Sequence, residues 1–204
     1  MNAHPVLRGL WRPRLMAALE WVEQQIAAEP DRTPVAFEQK GEMQFLDVRI
    51  HGRADRIDKY QDGSLAIVDY KTGRPPSRAM VEKGFALQLG LIGLIARSGG
   101  FSGLAGEPEC FEYWSLAKSA KSTTGFGYVE TPLLVGGRRT GIEPDKFLPL
   151  TERYLREAIE TWIKGDAPFT ARLNPDYPGY ADYDQLMRLD EWQAITDAPA
   201  EPAS

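Results

Sequence analysis

Residues 52–73 constrain the fold most, because they predict two β-strands joined by a tight turn. The second strand is apolar over 65–68 and then ends abruptly in Asp-Tyr-Lys-Thr-Gly at 69–73. Side chains alternate across a strand, so Asp69 and Lys71 share one face. A carboxylate and an ammonium that emerge together at a strand end form a place to hold a divalent cation and a nucleophilic water.

The turn decides whether the first strand contributes to that site. A three-residue loop at 61–63, with Gly63 in the left-handed conformation, places Asp55 opposite Asp69, and the two carboxylates converge. A two-residue loop would instead bring Asp58 onto the Asp69 face. The sequence leaves both registers open, and we prefer the first because it sets two carboxylates side by side at the strand ends.

Asp55 and Asp69 also have a simpler interpretation, in which they are edge-strand charges balanced by Arg53 and Arg56. The apolar residues that lead up to Asp69 make that interpretation less satisfactory. Burying unpaired carboxylates is costly, and a bound metal ion is a common compensation.

These segments carry a resemblance to a known family. The pattern is Gly-x-x-Asp-Arg-Ile-Asp from Gly52, Asp-Gly at 62–63, Val-Asp-Tyr-Lys-Thr-Gly at 68–73 and Gln-Leu at 88–89. It resembles the RecB-type nucleases of the PD-(D/E)xK superfamily, most closely the C-terminal nuclease domains of AddB type. The segment 182–192, with its Asp-Tyr-Asp-Gln-Leu, is similar to the end of AddB-type chains.

The resemblance implies roles for single residues. Asp55 and Asp69 would bind Mg²⁺ or Mn²⁺, with the Tyr70 carbonyl as a further ligand. Lys71 would be the catalytic lysine, and Gln88 would be the glutamine of the helix beside the site.

The function implied is a metal-dependent DNA exonuclease domain of a helicase–nuclease that acts in double-strand break repair and recombination. Its partners would be DNA and an AddA-like helicase subunit, and this chain would be a C-terminal fragment of a larger one. Two alternatives remain open: a catalytically inactive nuclease-like module that binds DNA or docks a subunit, and a stand-alone exonuclease or restriction-type enzyme.

The chain departs from the family pattern in two places. Family members usually have a tyrosine four residues after the helix glutamine, and this chain has Ile92 there. They also have an earlier helix with a histidine near the metal; His4 lacks that context and His51 lies in a predicted strand. The missing histidine helix puts the activity of the isolated chain in question.

Hydrophobic periodicity predicts the remaining elements. Helices are predicted over 15–26 (buried stripe Leu15, Leu19, Val22 and Ile26), about 85–97 and about 144–164, and strands at 35–38, 45–50, 110–116 and 127–130. The first two strands would flank a turn at Gly41. We therefore predict an α/β (α+β-like) fold with a central mixed sheet of about five strands flanked by helices. The resemblance makes this fold restriction-endonuclease-like.

Composition sets further bounds. With 204 residues, 43% of them hydrophobic, the chain suits one globular nuclease domain over 1–204, with 1–13 and 196–204 peripheral or disordered. The single cysteine, Cys110, excludes a disulfide framework and a four-cysteine iron–sulfur cluster, and it is expected to be a small core residue. We expect a cytoplasmic protein with no membrane span.

The net charge of −5 is unfavourable for a protein that acts on DNA, because affinity for DNA comes mainly from basic residues that neutralise phosphates. Four basic residues are the candidate DNA contacts: Arg74, Arg78, Lys118 and Lys121. Scattered surface charge is the plainer interpretation of each. We expect the isolated chain to bind DNA weakly and other domains to deliver the strand.

Overall fold

The computed structural model describes residues 5–136 and 140–168. Its helices are α1 (Pro5–Ala28), α2 (Arg78–Glu82), α3 (Gln88–Arg97) and α4 (Pro144–Ala158), followed by a π-helical turn at Ile159–Ile163. Its strands are β1 (Arg32–Phe45), β2 (Val48–Tyr60), β3 (Leu65–Lys71), β4 (Pro108–Lys118) and β5 (Phe126–Glu130). The chain divides into two compact units, 1–157 and 158–204, and all five strands belong to the first.

The five strands form one mixed sheet in the order β1-β2-β3-β4-β5. The central pair, β3 and β4, is parallel, and the other three pairs are antiparallel. Helices α2 and α3 form the crossover that a parallel pair requires. This architecture confirms the predicted mixed sheet of about five strands flanked by helices, and it agrees with a restriction-endonuclease-like fold. Within the described ranges, no helix combines the length and the apolar character needed to cross a membrane.

The β2–β3 hairpin has the three-residue loop. The Tyr60 N–H donates to the Ser64 carbonyl over 2.9 Å, and Gly63 has φ +91°. Asp58 pairs with Ala66, so the alternative register, in which it would pair with Ile67, is wrong. The preferred register is confirmed, and it decides which acids share a face.

The predicted turn at Gly41 is wrong. Gly41 lies inside β1, and the chain reverses at Leu46-Asp47, where both residues have positive φ (49° and 62°) and Phe45 pairs with Val48. A Cβ at Gly41 would lie 2.5 Å from the Phe101 ring, so the glycine is required for close packing.

Helix α1 also differs from the prediction. It begins at Pro5, and its buried residues include Ala18 and Trp21, whereas Leu15 and Leu19 of the predicted stripe are exposed. Trp21 sits edge-on to Trp114 of β4, with ring centroids 5.7 Å apart. This aromatic contact, rather than the leucine spacing, determines which face of α1 meets the sheet.

The sheet is covered on both faces. On one face, Val68 and Trp114 pack against Trp21 of α1. On the other, Phe111 of β4 meets the Phe147 ring of α4 at 4.5 Å. Helix α3 also lies on this second face, because a Cβ at Gly93 would be 2.6 Å from the Phe111 ring. Residues of β3 therefore alternate between an α1 face and an α3/α4 face.

Candidate active site

The β2–β3 ladder opens where the acidic residues lie. The ladder ends at the pair of Arg56 and Val68, and the same register continued by one residue sets Asp55 opposite Asp69. Beyond that pair, the Tyr70 N–H donates over 3.0 Å to Asp55 Oδ2, a side-chain acceptor in place of a main-chain carbonyl. The structure thus brings Asp55 and Asp69 together on the α3/α4 face, at the end of β3.

Asp69 is a buried carboxylate, only 4% exposed. Its Oδ2 lies 2.7 Å from Lys71 Nζ, but the two groups are not aligned as a hydrogen bond, and this oxygen has no hydrogen-bond partner in the described part of the chain. Burial raises the pKa of Asp69, the ammonium of Lys71 opposes that rise, and the charge of Asp55 adds to it. A second positive charge beside Asp69 would stabilise its ionised form.

Lys71 joins the sheet to helix α3. Its Nζ donates to Gln88 Oε1 over 2.9 Å, and Gln88 is the first residue of α3. The ammonium therefore lies between the Asp69 carboxylate and an exposed amide. Gln88 thus lies in a helix next to Lys71, which is the position that the resemblance implies for it.

Tyr70 directs its side chain to the α1 face, while its main-chain N–H contacts Asp55 of β2. Its hydroxyl accepts from Arg56 Nη1 over 3.3 Å, and its ring lies edge-on to Trp114. In an antiparallel pair, the N–H and C=O of one residue point to the same neighbouring strand. Because the Tyr70 N–H points to Asp55, its carbonyl lies on the Asp55 side of β3 as well.

Asp58 belongs to a different network on the α1 face. It is fully buried, and its two oxygens lie 2.6 Å from Arg56 Nε and 2.6 Å from Arg32 Nε. Arg32 also reaches Glu112, at 2.9 Å. These pairs satisfy the Asp58 carboxylate inside the fold, so Asp58 is a structural acid and not part of the site at Asp69.

Ile92, at the position where a tyrosine was expected, is a packing residue. It is 7% exposed, and a Cβ at Gly52 would lie 2.9 Å from its Cδ1, so it packs α3 against β2. His51 is exposed on β2 and pairs with Glu42 across the ladder. The other histidine, His4, and the tail segments 182–192 and 196–204 lie outside the described residues.

Comparison with known proteins shows the family of the chain. The model of the PD-(D/E)XK nuclease superfamily matches residues 2–175. The chain belongs to the PD-(D/E)XK nuclease superfamily. Nuclease chemistry is usual in this superfamily, and its members generally use divalent metals such as Mg²⁺.

Several Rickettsia proteins, all uncharacterised, are similar to part of this PD-(D/E)XK chain. A protein of Rickettsia conorii is 36% identical over 72 residues, which are 33% of this chain and 9% of the relative. One of Rickettsia felis is 36% identical over 72 residues (33% and 8%), and one of Rickettsia typhi is 30% identical over 100 residues (47% and 12%). The chain thus spans about a tenth of the length of these curated relatives.

The PD-(D/E)XK site presents a partial ligand set for a hard cation. In residues 5–136 and 140–168, no three side chains of His, Cys, Asp and Glu come close enough together to hold a metal ion. Asp55, Asp69 and the Tyr70 carbonyl nevertheless suit Mg²⁺, which binds through one or two carboxylates and keeps several waters. The buried Oδ2 of Asp69, without a hydrogen bond, is the observation that fits such an ion.

The four basic residues that were predicted to contact DNA differ in whether their charge is already paired within the protein. Arg78 forms an ion pair with Glu130 and donates to the Thr131 carbonyl over 3.1 Å, so it fastens α2 to the end of β5. Arg74, Lys118 and Lys121 are exposed. Arg74 and Arg78 both border a pocket of about 390 Å³.

A larger groove lies at the end of β3. Its volume is about 680 Å³, and it is lined by Thr72, which directly follows Lys71, together with Arg14 and Trp11 of α1 and Lys118 of β4. The groove combines apolar walls with two cationic side chains. Its lining by α1, Thr72 and Leu116 places the groove on the α1 face at the end of β3, whereas Asp69 and Lys71 lie on the α3/α4 face.

Two further residues matter here. Tyr113 of β4 is the register partner of Asp69, and no local signal in the sequence indicates this, because parallel pairing joins distant segments. Cys110 lies mostly buried, and burial raises the pKa of its thiol to about 12. Cys110 is thus a protonated thiol, in agreement with a packing role.

Proposed function

We propose that this protein is a metal-dependent deoxyribonuclease, the exonuclease part of an AddAB-type helicase–nuclease that acts in double-strand break repair and recombination in the cytoplasm. The observation that carries the nuclease assignment is the buried carboxylate of Asp69, whose pKa is affected by the charge of Asp55 and which lies 2.7 Å from the Lys71 ammonium. Membership of the PD-(D/E)XK superfamily supports the same chemistry. The helicase association is supported by the AddB-like sequence pattern at 52–89.

Asp55 and Asp69 hold the cation, and the Tyr70 carbonyl is the third protein ligand. A bound Mg²⁺ or Mn²⁺ supplies positive charge next to the phosphate and acidifies water. Asp55 keeps its position by accepting the Tyr70 N–H, and this contact ties one ligand to the backbone of the strand that carries the other.

Lys71 acts on the attacking water and on the charge that develops on the phosphate. Its ammonium lies 2.7 Å from Asp69 Oδ2 and donates to Gln88 Oε1 over 2.9 Å, so it stays next to the metal-binding carboxylates. Gln88 lies at the start of α3 and is exposed, and its amide N–H groups remain able to donate to a phosphate oxygen. Together the two residues orient the phosphodiester bond for hydrolysis.

The DNA strand passes the end of the sheet, where Lys118 and Arg14 of the groove on the α1 face neutralise phosphates on the far side of β3 from Lys71. Arg74 and Lys121 add exposed positive charge, whereas Arg78 is already paired with Glu130. The net charge of −5 makes binding by the chain alone weak. An AddA-like helicase subunit supplies the missing affinity by delivering the strand.

A second candidate function is a nuclease-like module that binds DNA or docks a helicase subunit without cutting. The acidic net charge favours it. Calorimetric titration with Mg²⁺ separates the two, because a purely structural module takes up no ion at Asp55 and Asp69. Co-purification with a helicase subunit tests the AddAB assignment independently of cutting.

The deciding experiment is a gel assay of the purified chain on end-labelled linear DNA with Mg²⁺, Mn²⁺ or EDTA. We expect shortening of the DNA with either metal ion, none with EDTA, and none with Asp69→Ala or Lys71→Ala. Lys59→Ala is the matched control, because Lys59 lies at the turn end of the same hairpin and donates to the Ala105 carbonyl. Undiminished degradation by Asp69→Ala and Lys71→Ala would remove the assignment.

A further inference from the structure

Tyr113 lies directly against the residues that the proposed function uses. It pairs with Asp69 across the parallel β3–β4 ladder, and register partners share a face of the sheet. Lys71 Nζ lies over its ring, 5.8 Å from the centroid. An ammonium within about 6 Å of a ring centroid is attracted to the negative face of the ring.

The hydroxyl of Tyr113 does not explain its place in the fold. The side chain is 1% exposed, and the hydroxyl has no hydrogen-bond partner among the described residues. A phenylalanine would fill the same space without an unsatisfied polar atom. The position of the ring is therefore set by packing, and the ring face is the part that meets a charged group.

The flexible Lys71 side chain needs a rigid surface, such as the Tyr113 ring face, to hold its ammonium in place. A lysine side chain has four rotatable bonds, and the amide that it contacts, Gln88, is exposed. The carboxylate of Asp69 attracts the ammonium without hydrogen-bond alignment. A rigid ring below the ammonium supplies a third contact that neither of these two groups can replace.

We propose that Tyr113 is a positioning residue, whose ring face fixes the Lys71 ammonium between Asp69 and Gln88. Its effect on catalysis rests on the proposed function, but the contact itself does not. Phe111, two residues earlier on the same face, provides the contrast, because it packs against Phe147 and the Gly93 backbone within the core.

The test measures the contact and the reaction separately. The first readout is the NMR signal of the Lys71 ε-methylene in protein labelled with ¹³C at lysine, identified by its absence in Lys71→Ala. We expect a ring-current shift to high field in the wild type and in Tyr113→Phe, and its loss in Tyr113→Leu. Phe111→Leu should leave the shift in place while lowering the melting temperature, which separates positioning from packing.

The second readout is the rate of DNA degradation. Tyr113→Leu should lower kcat about tenfold or more with KM within about twofold, since small misplacements of a catalytic group are costly. Tyr113→Phe should recover the rate to within about threefold of the wild type. Tyr60→Phe is the matched control for removal of a hydroxyl, because Tyr60 lies at the turn end of the hairpin, opposite Ser64.

Three results would overturn the positioning role: no ring-current shift in the wild type, the same shift in Tyr113→Leu, or full kcat in Tyr113→Leu with a normal melting temperature. If the wild type degrades no DNA, the proposed function fails, and the NMR comparison alone decides whether the Tyr113 ring fixes Lys71. The thermal melt of each variant shows whether it is folded under the assay conditions.

Discussion

Asp58 and Asp69 are both buried, yet they lie on opposite faces of the same sheet and contact different side chains. Asp58 contacts two arginines at 2.6 Å on the α1 face. Asp69 faces Asp55 and a single lysine on the α3/α4 face. The loop at 61–63 determines this division, because a change of register by one residue would exchange the faces.

Because Asp58 and Asp55 of β2 lie on different faces, neutralising each of them should have a different effect. Asp58→Asn should lower the free energy of unfolding by about 3 kcal/mol, since it leaves buried arginine charge uncompensated, and Mg²⁺ uptake should be unchanged below its unfolding transition. Asp55→Asn should abolish Mg²⁺ uptake but change stability by less than about 1 kcal/mol, because an amide oxygen can still accept the Tyr70 N–H. Urea unfolding and calorimetry provide the two measurements. Loss of Mg²⁺ uptake in folded Asp58→Asn would contradict this assignment of the two acids.

The stability of the metal-free protein should depend on pH through Asp69. Burial raises the folded-state pKa of Asp69 above its ordinary 3.8, so its ionised form is less favourable in the folded than in the unfolded chain. Its contribution to stability is therefore greatest below pH 3.8 and is lost as pH rises through the folded-state pKa. Asp69→Asn cannot titrate, so it should be more stable than the wild type at neutral pH, and the difference should shrink on acidification.

Urea unfolding of both proteins in EDTA, over a series of pH values from neutral to about 4, measures this difference. A gain in Asp69→Asn that grows on acidification would show that the Asp69 pKa is lowered rather than raised. Addition of Mg²⁺ at neutral pH should stabilise the wild type and leave Asp69→Asn unchanged.

Helix α3 should tolerate no added methyl group on its inner face. A Cβ at Gly93 would lie 2.6 Å from the Phe111 ring and 2.9 Å from Leu148 Cδ2, so Gly93→Ala should cost about 1–3 kcal/mol of stability through overpacking. Gly9→Ala in α1 is the control, since nothing lies within 4 Å of its Cβ position; it should gain up to about 1 kcal/mol from helix propensity. Denaturant titration compares the two, and equal effects would refute the close packing of α3.

Two neighbouring arginines should differ in their effect on DNA binding. Arg74 is exposed, whereas Arg78 is paired with Glu130. Arg74→Ala should weaken DNA binding and reduce the slope of log affinity against log salt by about 0.7–0.9, as expected for one lost phosphate contact. Arg78→Ala should leave that slope unchanged. Fluorescence anisotropy with labelled DNA at several salt concentrations measures both slopes, and the reverse order would show that Arg78 is the phosphate contact.

Local rules were sufficient to predict the acidic part of the site. Strand alternation sets Asp69 and Lys71 on one face, and the choice of a three-residue loop then places Asp55 opposite Asp69. Both rules act over a few residues. The sequence alone determines the alternation, whereas it leaves the loop length open between two registers, and the Tyr60–Ser64 pairing decides it.

Contacts between distant segments account for the wrong predictions and for what the sequence did not predict. Gly41 has the composition of a turn but lies in a strand because Phe101 packs on it. Leu15 and Leu19 have helical spacing, but the Trp21–Trp114 contact turns another face of α1 to the sheet. Pairing between β3 and β4, which brings Tyr113 beside Asp69, joins residues more than forty positions apart.

The side chain of Asp55 accepts the Tyr70 N–H at the point where the two strands separate. The reach of this one short acid therefore determines how far β2 and β3 part at this end of their ladder. A glutamate would preserve the charge, but its extra methylene would force the strands wider apart or turn the carboxylate away from its neighbour. Exchange of one acid for another at this position is thus a change of shape, because one added carbon–carbon bond alters the distance between the two strands where they part.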